Sequence, residues 1–108
     1  MVMVIRNKEE KEINVSNVVV GDIIKLNAGT IIPADLRIID AKDLFLDQAV
    51  FTGESVLVEK VSKCSNPYHE IFDIPNVALM GSSVVSGLGS GVVISTGFDT
   101  YLGKVGNK

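Results

Sequence analysis

Residues 74–98 carry no charged side chain, a stretch long enough to cross a bilayer if it were one helix. What stands inside it argues against that helix. Pro75, Asn76, several serines and glycines at positions 81, 87, 89, 91 and 97 read as short strands joined by tight turns. The rest of the chain repeats the pattern, brief apolar runs between turn residues, and nowhere sustains helical periodicity long enough for a full helix. Strands are expected over 3–5, 12–15, 23–26, 31–32, 36–39, 44–46, 56–61, 77–80, 84–85 and 91–95, the first two forming a hairpin with Asn7-Lys8-Glu9-Glu10 at its tip. Residues 99–104 are expected as a short helix capped by Asp99. The fold class is therefore mostly β: a small distorted jelly-roll or rolled β-sheet domain with at most a short C-terminal helix, since closing or rolling the sheet limits its free edges.

One domain, residues 1–108, fits this length, and with 46% apolar residues the chain can bury a modest core. Ten basic residues against 13 acidic ones give a net charge of −3. The basic residues are scattered, so no nucleic-acid partner is expected, because that affinity rests on clustered Lys and Arg facing phosphates. The single cysteine, Cys64, excludes an internal disulfide and fits a reducing, cytosolic setting. Arg6, Lys8, Glu9 and Glu10 break the N-terminal apolar run too early for a signal peptide. Asn14-Val15-Ser16 therefore has the letters of a glycosylation acceptor without the secretory context. Residues 62–73 lack alternation and read as an exposed loop. His69 lies there without a second His or Cys at metal-ligand spacing, so no metal site is expected.

Several catalytic templates fail on spacing. Five residues separate Gly97 from Gly103-Lys104 where a phosphate-binding loop has four, and Val105 stands where Ser or Thr should meet magnesium. Gly87, Gly89 and Gly91 are spaced two apart, unlike the dinucleotide fingerprint, and no long helix follows. Gly53-Glu54-Ser55 resembles part of a nucleophile elbow, but Leu57 replaces its closing glycine and only the distant His69 could serve as a base. What remains is Thr52-Gly53-Glu54-Ser55, a polar break between Val50-Phe51 and Val56-Leu57-Val58. By itself it reads first as an ordinary polar turn. Its carboxylate between two hydroxyls, beside a glycine that permits sharp turning and close approach, could also position a water.

The order of motifs resembles the actuator domain of P-type ATPases, ion pumps that work through an aspartyl-phosphate intermediate. Val20-Gly21-Asp22-Ile23-Ile24, Gly29-Thr30-Ile31-Ile32-Pro33-Ala34-Asp35, residues 47–55 with the Thr-Gly-Glu-Ser tetrapeptide, and the glycine-rich residues 81–91 and 93–104 follow the family's sequence in order. The resemblance covers 15–104. It departs at Gln48-Ala49, where many members have Glu-Ser, at Thr30 in place of a frequent Asp, and at Leu57 in place of a frequent Pro. The Gln-Ala variant and the Met80-Gly81-Ser82-Ser83-Val84-Val85-Ser86-Gly87 segment look most like magnesium-importing members, with calcium and other cation pumps close behind.

The resemblance implies a role for each residue of the loop. Glu54 would orient the water that cleaves the acyl phosphate and accept its proton, Gly53 would permit close approach, and Thr52 and Ser55 would hold the loop. It implies that the chain is a cytosolic piece of a larger integral membrane pump. Its partners would be the phosphorylation, nucleotide-binding and transmembrane domains of the same chain, with a transported cation, Mg2+ among the candidates, passing through the membrane domain. No cofactor is expected in this domain, whereas ATP and Mg2+ are expected in the full-length pump. The Val20-Gly21-Asp22 and Pro33-Ala34-Asp35 segments are expected to serve as turns, and the isolated domain to hydrolyse nothing. The alternative is a stand-alone β-rich protein-interaction module without catalysis.

Overall fold

The computed structural model describes residues 2–53, 57–63 and 74–106. Among the described residues seven strands make one antiparallel sheet: β1 (Val2–Arg6), β2 (Glu9–Ile13), β3 (Ile23–Asn27), β4 (Asp35–Asp47), β5 (Leu57–Lys60), β6 (Val77–Ala78) and β7 (Ser83–Ser95). Their spatial order is β2-β1-β3-β7-β4-β5, with β6 also paired to β4. The described residues also form two short helices, α1 (Ala49–Thr52) and α2 (Tyr101–Gly106), and 3-10 turns at Val15–Asn17 and Gly97–Asp99. The mostly β expectation holds, and the open strand path, ending at β2 and β5, selects the rolled form over the closed one. Among the described residues no helix is long and apolar enough to cross a membrane.

The β1-β2 hairpin is tighter than its sequence suggested. Asn7 and Lys8 both take positive φ, 53° and 65°, and they alone form the tip, with Arg6 opposite Glu9, as the twist of a two-residue hairpin demands. Glu9 and Glu10 therefore belong to β2, whose residues 9–12 are all exposed and charged. That charge guards the sheet edge against pairing with another chain.

The larger differences lie in β4 and β7. The two short runs expected over 36–39 and 44–46 are one 13-residue strand, and those over 84–85 and 91–95 are another. These two strands pair along most of their length, with register shifts between Ile38 and Asp40 and between Lys42 and Phe45. The glycines expected to turn the chain instead lie inside β7, opposite the irregularities of β4. A Cβ at Gly89 would stand 2.6 Å from the Asp40 carbonyl oxygen, and one at Gly87 would lie 2.7 Å from Leu44 Cα. Glycine here serves close backbone approach at a bulge, which bends both strands without ending them.

The core lies within the bend. Val4, Ile24, Leu26, Leu36, Ile38, Leu44, Leu46, Val84 and Val93 are all essentially buried and form one cluster with Ile32, Ala34 and Ala78. The alternation of buried and less buried positions in β1 and β3 follows the two-residue period of a strand. The remaining expected strands shorten: 31–32 contributes a single bridge from Ile31 to Ser83, and 77–80 only Val77–Ala78. The loop expected over 62–73 lies outside the described residues from 64 onward, and Cys64 and His69 with it.

The turn before β3 is tied at both ends. Gly21 N–H donates to Val93 O at 2.9 Å, and Val93 N–H returns a bond to Asp22 O at 2.8 Å. The Asp22 side chain accepts a two-point contact from Arg6, Nε to Oδ1 at 3.1 Å and Nη2 to Oδ2 at 2.8 Å, and a third bond from Val19 N–H at 3.0 Å. Chiefly through the Arg6 hydrogen bonds, and against the opposing effect of partial burial, this holds its carboxyl below the usual range. A carboxylate with a lowered folded pKa stabilises the fold above its unfolded pKa, and that contribution disappears as pH falls through the folded value. Asp22→Asn is therefore expected to lower the urea midpoint of the 108-residue chain at pH 7, the gap from the parent closing on acidification through the carboxylate range. Midpoints separated equally at pH 3 and pH 7 would contradict this role.

Candidate functional site

The polar tetrapeptide grows out of a short excursion from the sheet. Asp47, the last residue of β4, pairs with Leu57, the first of β5, so residues 48–56 leave and re-enter the sheet at one point. Asp47 Oδ1 accepts a bond from Ala49 N–H at 2.8 Å, tying down the start of α1. This helix is an element that the sequence did not announce, because a single turn contains too few residues to display a period. Gln48, buried to 1% exposure, closes it from below through its carbonyl, which receives Phe51 N–H at 2.9 Å and Thr52 N–H at 3.1 Å.

Thr52 ends the helix, with its hydroxyl 3.4 Å from Gln48 O. Gly53 follows in the left-handed conformation, φ 75° and ψ 0°, and its N–H donates to Ala49 O at 2.8 Å. This is the helix-ending geometry that glycine adopts without cost, and it turns the chain sharply toward residue 54. Glu54 and Ser55 lie outside the described residues, joined covalently to Gly53 on one side and, through residue 56, to Leu57 on the other. Thr52 and Gly53 are both exposed, as are Val50 and Leu57, the apolar residues flanking the loop. Thr52 and Gly53 thus lie on a surface projection at the end of α1.

A second element supports that projection from the side. The Phe51 and Tyr101 rings meet edge to face, centroids 5.4 Å apart and planes at 60°. Nearby, Gly81 leaves room for two side chains: a Cβ there would lie 3.0 Å from Leu102 Cδ2 and 3.5 Å from Val50 Cγ1. So α1 and α2 both pack over the 80–81 turn. The start of α2 is in turn held by Asp35, whose Oδ2 accepts Tyr101 N–H at 2.7 Å and the Ser95 hydroxyl at 3.1 Å, while Oδ1 accepts Met80 N–H at 2.9 Å. Asp35 is 4% exposed, and its three donors come from three segments far from it in sequence.

The expected capping residue of the last helix also changes. Thr100, fully buried, accepts Gly103 N–H on its hydroxyl at 3.0 Å and donates that hydroxyl to Gly97 O at 2.7 Å. The helix accordingly begins at Tyr101, and Asp99 sits exposed in the preceding 3-10 turn. One further anchor escaped the sequence reading. Lys60 at the end of β5 is fully buried and donates Nζ to Ile74 O at 3.0 Å, although lysine is seldom found inside.

Asp35 reads in the sequence as part of a turn, and the structure keeps it in a structural role with wider reach. Replacing it by Asn would oppose an amide NH2 to one of the N–H donors it now accepts. Because bonds to a buried carboxylate contribute on the order of 1.5–3 kcal/mol each, Asp35→Asn is expected to cost about 2–3 kcal/mol. Urea denaturation of the 108-residue chain reads this directly, and a midpoint within error of the parent would refute it.

The described residues hold no group of three or more His, Cys, Asp or Glu side chains able to bind a metal. Surface clefts lined by Val2, Glu12, Lys25 and Thr30, and by Ile5, Asp40, Lys42 and Leu88, include no residue of the tetrapeptide.

Comparison with known proteins agrees with this arrangement. The family model of the P-type ATPase actuator domain matches residues 1–108. The magnesium-transporting ATPase, P-type 1, of Escherichia coli K12 is 45% identical over 109 residues, covering 97% of this chain and 12% of the relative. A calcium-transporting ATPase of Bacillus subtilis is 39% identical over 105 residues, covering 96% of this chain and 12% of the relative. Among solved structures, a zinc-transporting PIB-type ATPase superposes with a TM-score of 0.74 over 98% of this chain and 15% of its own, at 22% identity, a likeness of fold. The chain thus spans about an eighth of the length of the curated relatives it matches.

Proposed function

The chain belongs to the P-type ATPase actuator domain family, and from that premise we propose that it is the actuator of a membrane cation pump, its Thr52-Gly53-Glu54-Ser55 loop serving dephosphorylation. The observation that carries this reading is the αL turn at Gly53. It ends a helix anchored at Asp47 on an exposed corner of the sheet, and Glu54 is the next residue in the chain. A group that must meet a phosphorylated residue on another domain needs that placement. An ångström of misplacement in such chemistry can cost about a hundredfold in rate.

In the proposed reaction, an aspartate on a separate domain carries the phosphoryl group transferred from ATP. The loop approaches this acyl phosphate, and Glu54 orients a water molecule for in-line attack on phosphorus. The new P–O bond forms as the bond to the aspartyl oxygen breaks. The water's proton passes to Glu54, and the aspartate leaves as a carboxylate. Gly53, lacking a side chain, keeps the approach unobstructed, while Thr52 and Ser55 hold the loop by hydrogen bonds. ATP and Mg2+ would be held by the other domains of the same chain. The sheet would carry the movement of the loop to the transmembrane segments as a rigid lever, working from the cytosolic face of the membrane where ATP is supplied.

Magnesium is the cation that the relatives favour, at 45% identity to a magnesium transporter against 39% to a calcium transporter. The decisive assay incubates the full-length protein with γ-labelled ATP and follows an acid-stable, hydroxylamine-sensitive phosphoenzyme. Its formation and turnover are expected. Failure to form any such intermediate would return the chain to a binding module without chemistry.

A further inference from the structure

Of the tetrapeptide, Thr52 ends α1 and Gly53 caps it, and α1 is a single turn. A helix of four residues cannot hold its own orientation by backbone bonds alone, since nucleating one turn is unfavourable. Its direction must come from what it packs against. The side-chain contacts described above put that support on α2: the Tyr101 ring stands edge-on to Phe51, one residue before Thr52, and Leu102 and Val50 share the space over Gly81. The register of α2 is not free either, because the Tyr101 N–H is bonded to buried Asp35 at 2.7 Å and Thr100 caps its first turn.

The geometry points to Tyr101 as a positioning residue for the Thr52-Gly53-Glu54-Ser55 loop, its ring setting the direction of α1 through Phe51 while Asp35 holds its backbone. Tyr101 need not touch the phosphate or the water. It acts by holding α1 in one direction up to Gly53, the residue that precedes Glu54 in the chain. This inference rests on the dephosphorylation reading of Glu54.

The distinguishing experiment uses the full-length pump and measures phosphoenzyme formation and decay separately. Tyr101→Ala removes the ring but keeps the backbone N–H that Asp35 accepts. It is expected to leave the rate of phosphorylation unchanged and to slow decay about tenfold, the scale of a partial loss of orientation. Tyr101→Phe, which keeps the ring edge, is expected to decay at the parent rate. Phe51→Leu should slow decay comparably, and the double variant Phe51→Leu/Tyr101→Ala should be no slower than the slower single one, because both changes break one contact.

A purely structural role would instead reduce formation and decay together, and that outcome overturns the inference. So does normal decay in Tyr101→Ala, or equal slowing in Tyr101→Phe. Glu54→Gln serves as the reference in the same assay. If it slows decay while Tyr101→Ala does not, the positioning role alone fails. If Glu54→Gln itself decays normally, the reading of the loop fails and this inference falls with it.

Discussion

Replacing Glu54 by glutamine in the full-length protein is expected to leave phosphoenzyme formation intact and to slow its hydrolysis by about a hundredfold or more, the usual range for losing a positioned general base. The amide is nearly isosteric with the carboxylate and can still hydrogen-bond water, but it cannot take the proton as the P–O bond forms. The effect should therefore appear in the decay of the phosphoenzyme after a chase with unlabelled ATP, and not in the initial labelling. The motive is local: Gly53, with φ 75°, turns the chain at the exposed end of α1, and Glu54 follows it in sequence. Decay at the parent rate would remove Glu54 from the mechanism. Loss of labelling would instead show that the loop also serves phosphorylation, contrary to the proposal.

The second large effect is expected in the scaffold, at Gly87. This residue has φ 90°, and any Cβ placed on it would overlap the Asp43 carbonyl and come within 2.7 Å of Leu44 Cα. Both partners are backbone, so no side chain can swing aside to relieve the contact. Asp43 is itself held at a positive φ of 51°, where the two long strands lose register between Lys42 and Phe45. Gly87→Ala must therefore separate β4 from β7 or rebuild the bulge. Added to the cost of positive φ for an L-residue, about 1–2 kcal/mol, overpacking of about 1–3 kcal/mol brings the expected loss to roughly 2–5 kcal/mol. That is a large part of the stability of so small a domain. Thermal or urea unfolding of the 108-residue chain reads it, and a midpoint near that of the parent would show that the close approach can relax cheaply. Gly53→Ala makes a useful contrast, because Gly53 has a positive φ but nothing within 4 Å of an added Cβ. It should lose only the conformational part.

These two glycines show where sequence reasoning reaches its limit. The class of fold was legible because short apolar runs, turn residues and missing helical periodicity are all local properties, and strands such as β1 and β3 obey the two-residue period that burial imposes. The tetrapeptide stood out as a polar break between two apolar runs, but by itself it read first as an ordinary turn, and only the order of motifs pointed to more. Whether a glycine turns a strand or lets another strand approach depends on what lies opposite, and Asp43 is 44 residues from Gly87. The same letters therefore read as a turn in sequence and prove to be the inside of a bulged strand.

The support of the site was illegible for a related reason. Phe51 and Tyr101 lie 50 residues apart, and nothing in either neighbourhood names the other. Asp35 binds donors 45, 60 and 66 positions away, and Arg6 reaches Asp22 across 16. Read in order, the residues establish a β domain with a polar loop between two strands and the motif order of the actuator family. It took the folded chain to settle that two 13-residue strands, bent at glycines, form the body, and that Thr52 ends one helical turn whose Phe51 meets Tyr101 of a second helix. Local preference acts over a few residues and is written in their succession. Close approach and hydrogen bonding to a buried carboxylate act across the folded chain, and they exist only once distant residues have met.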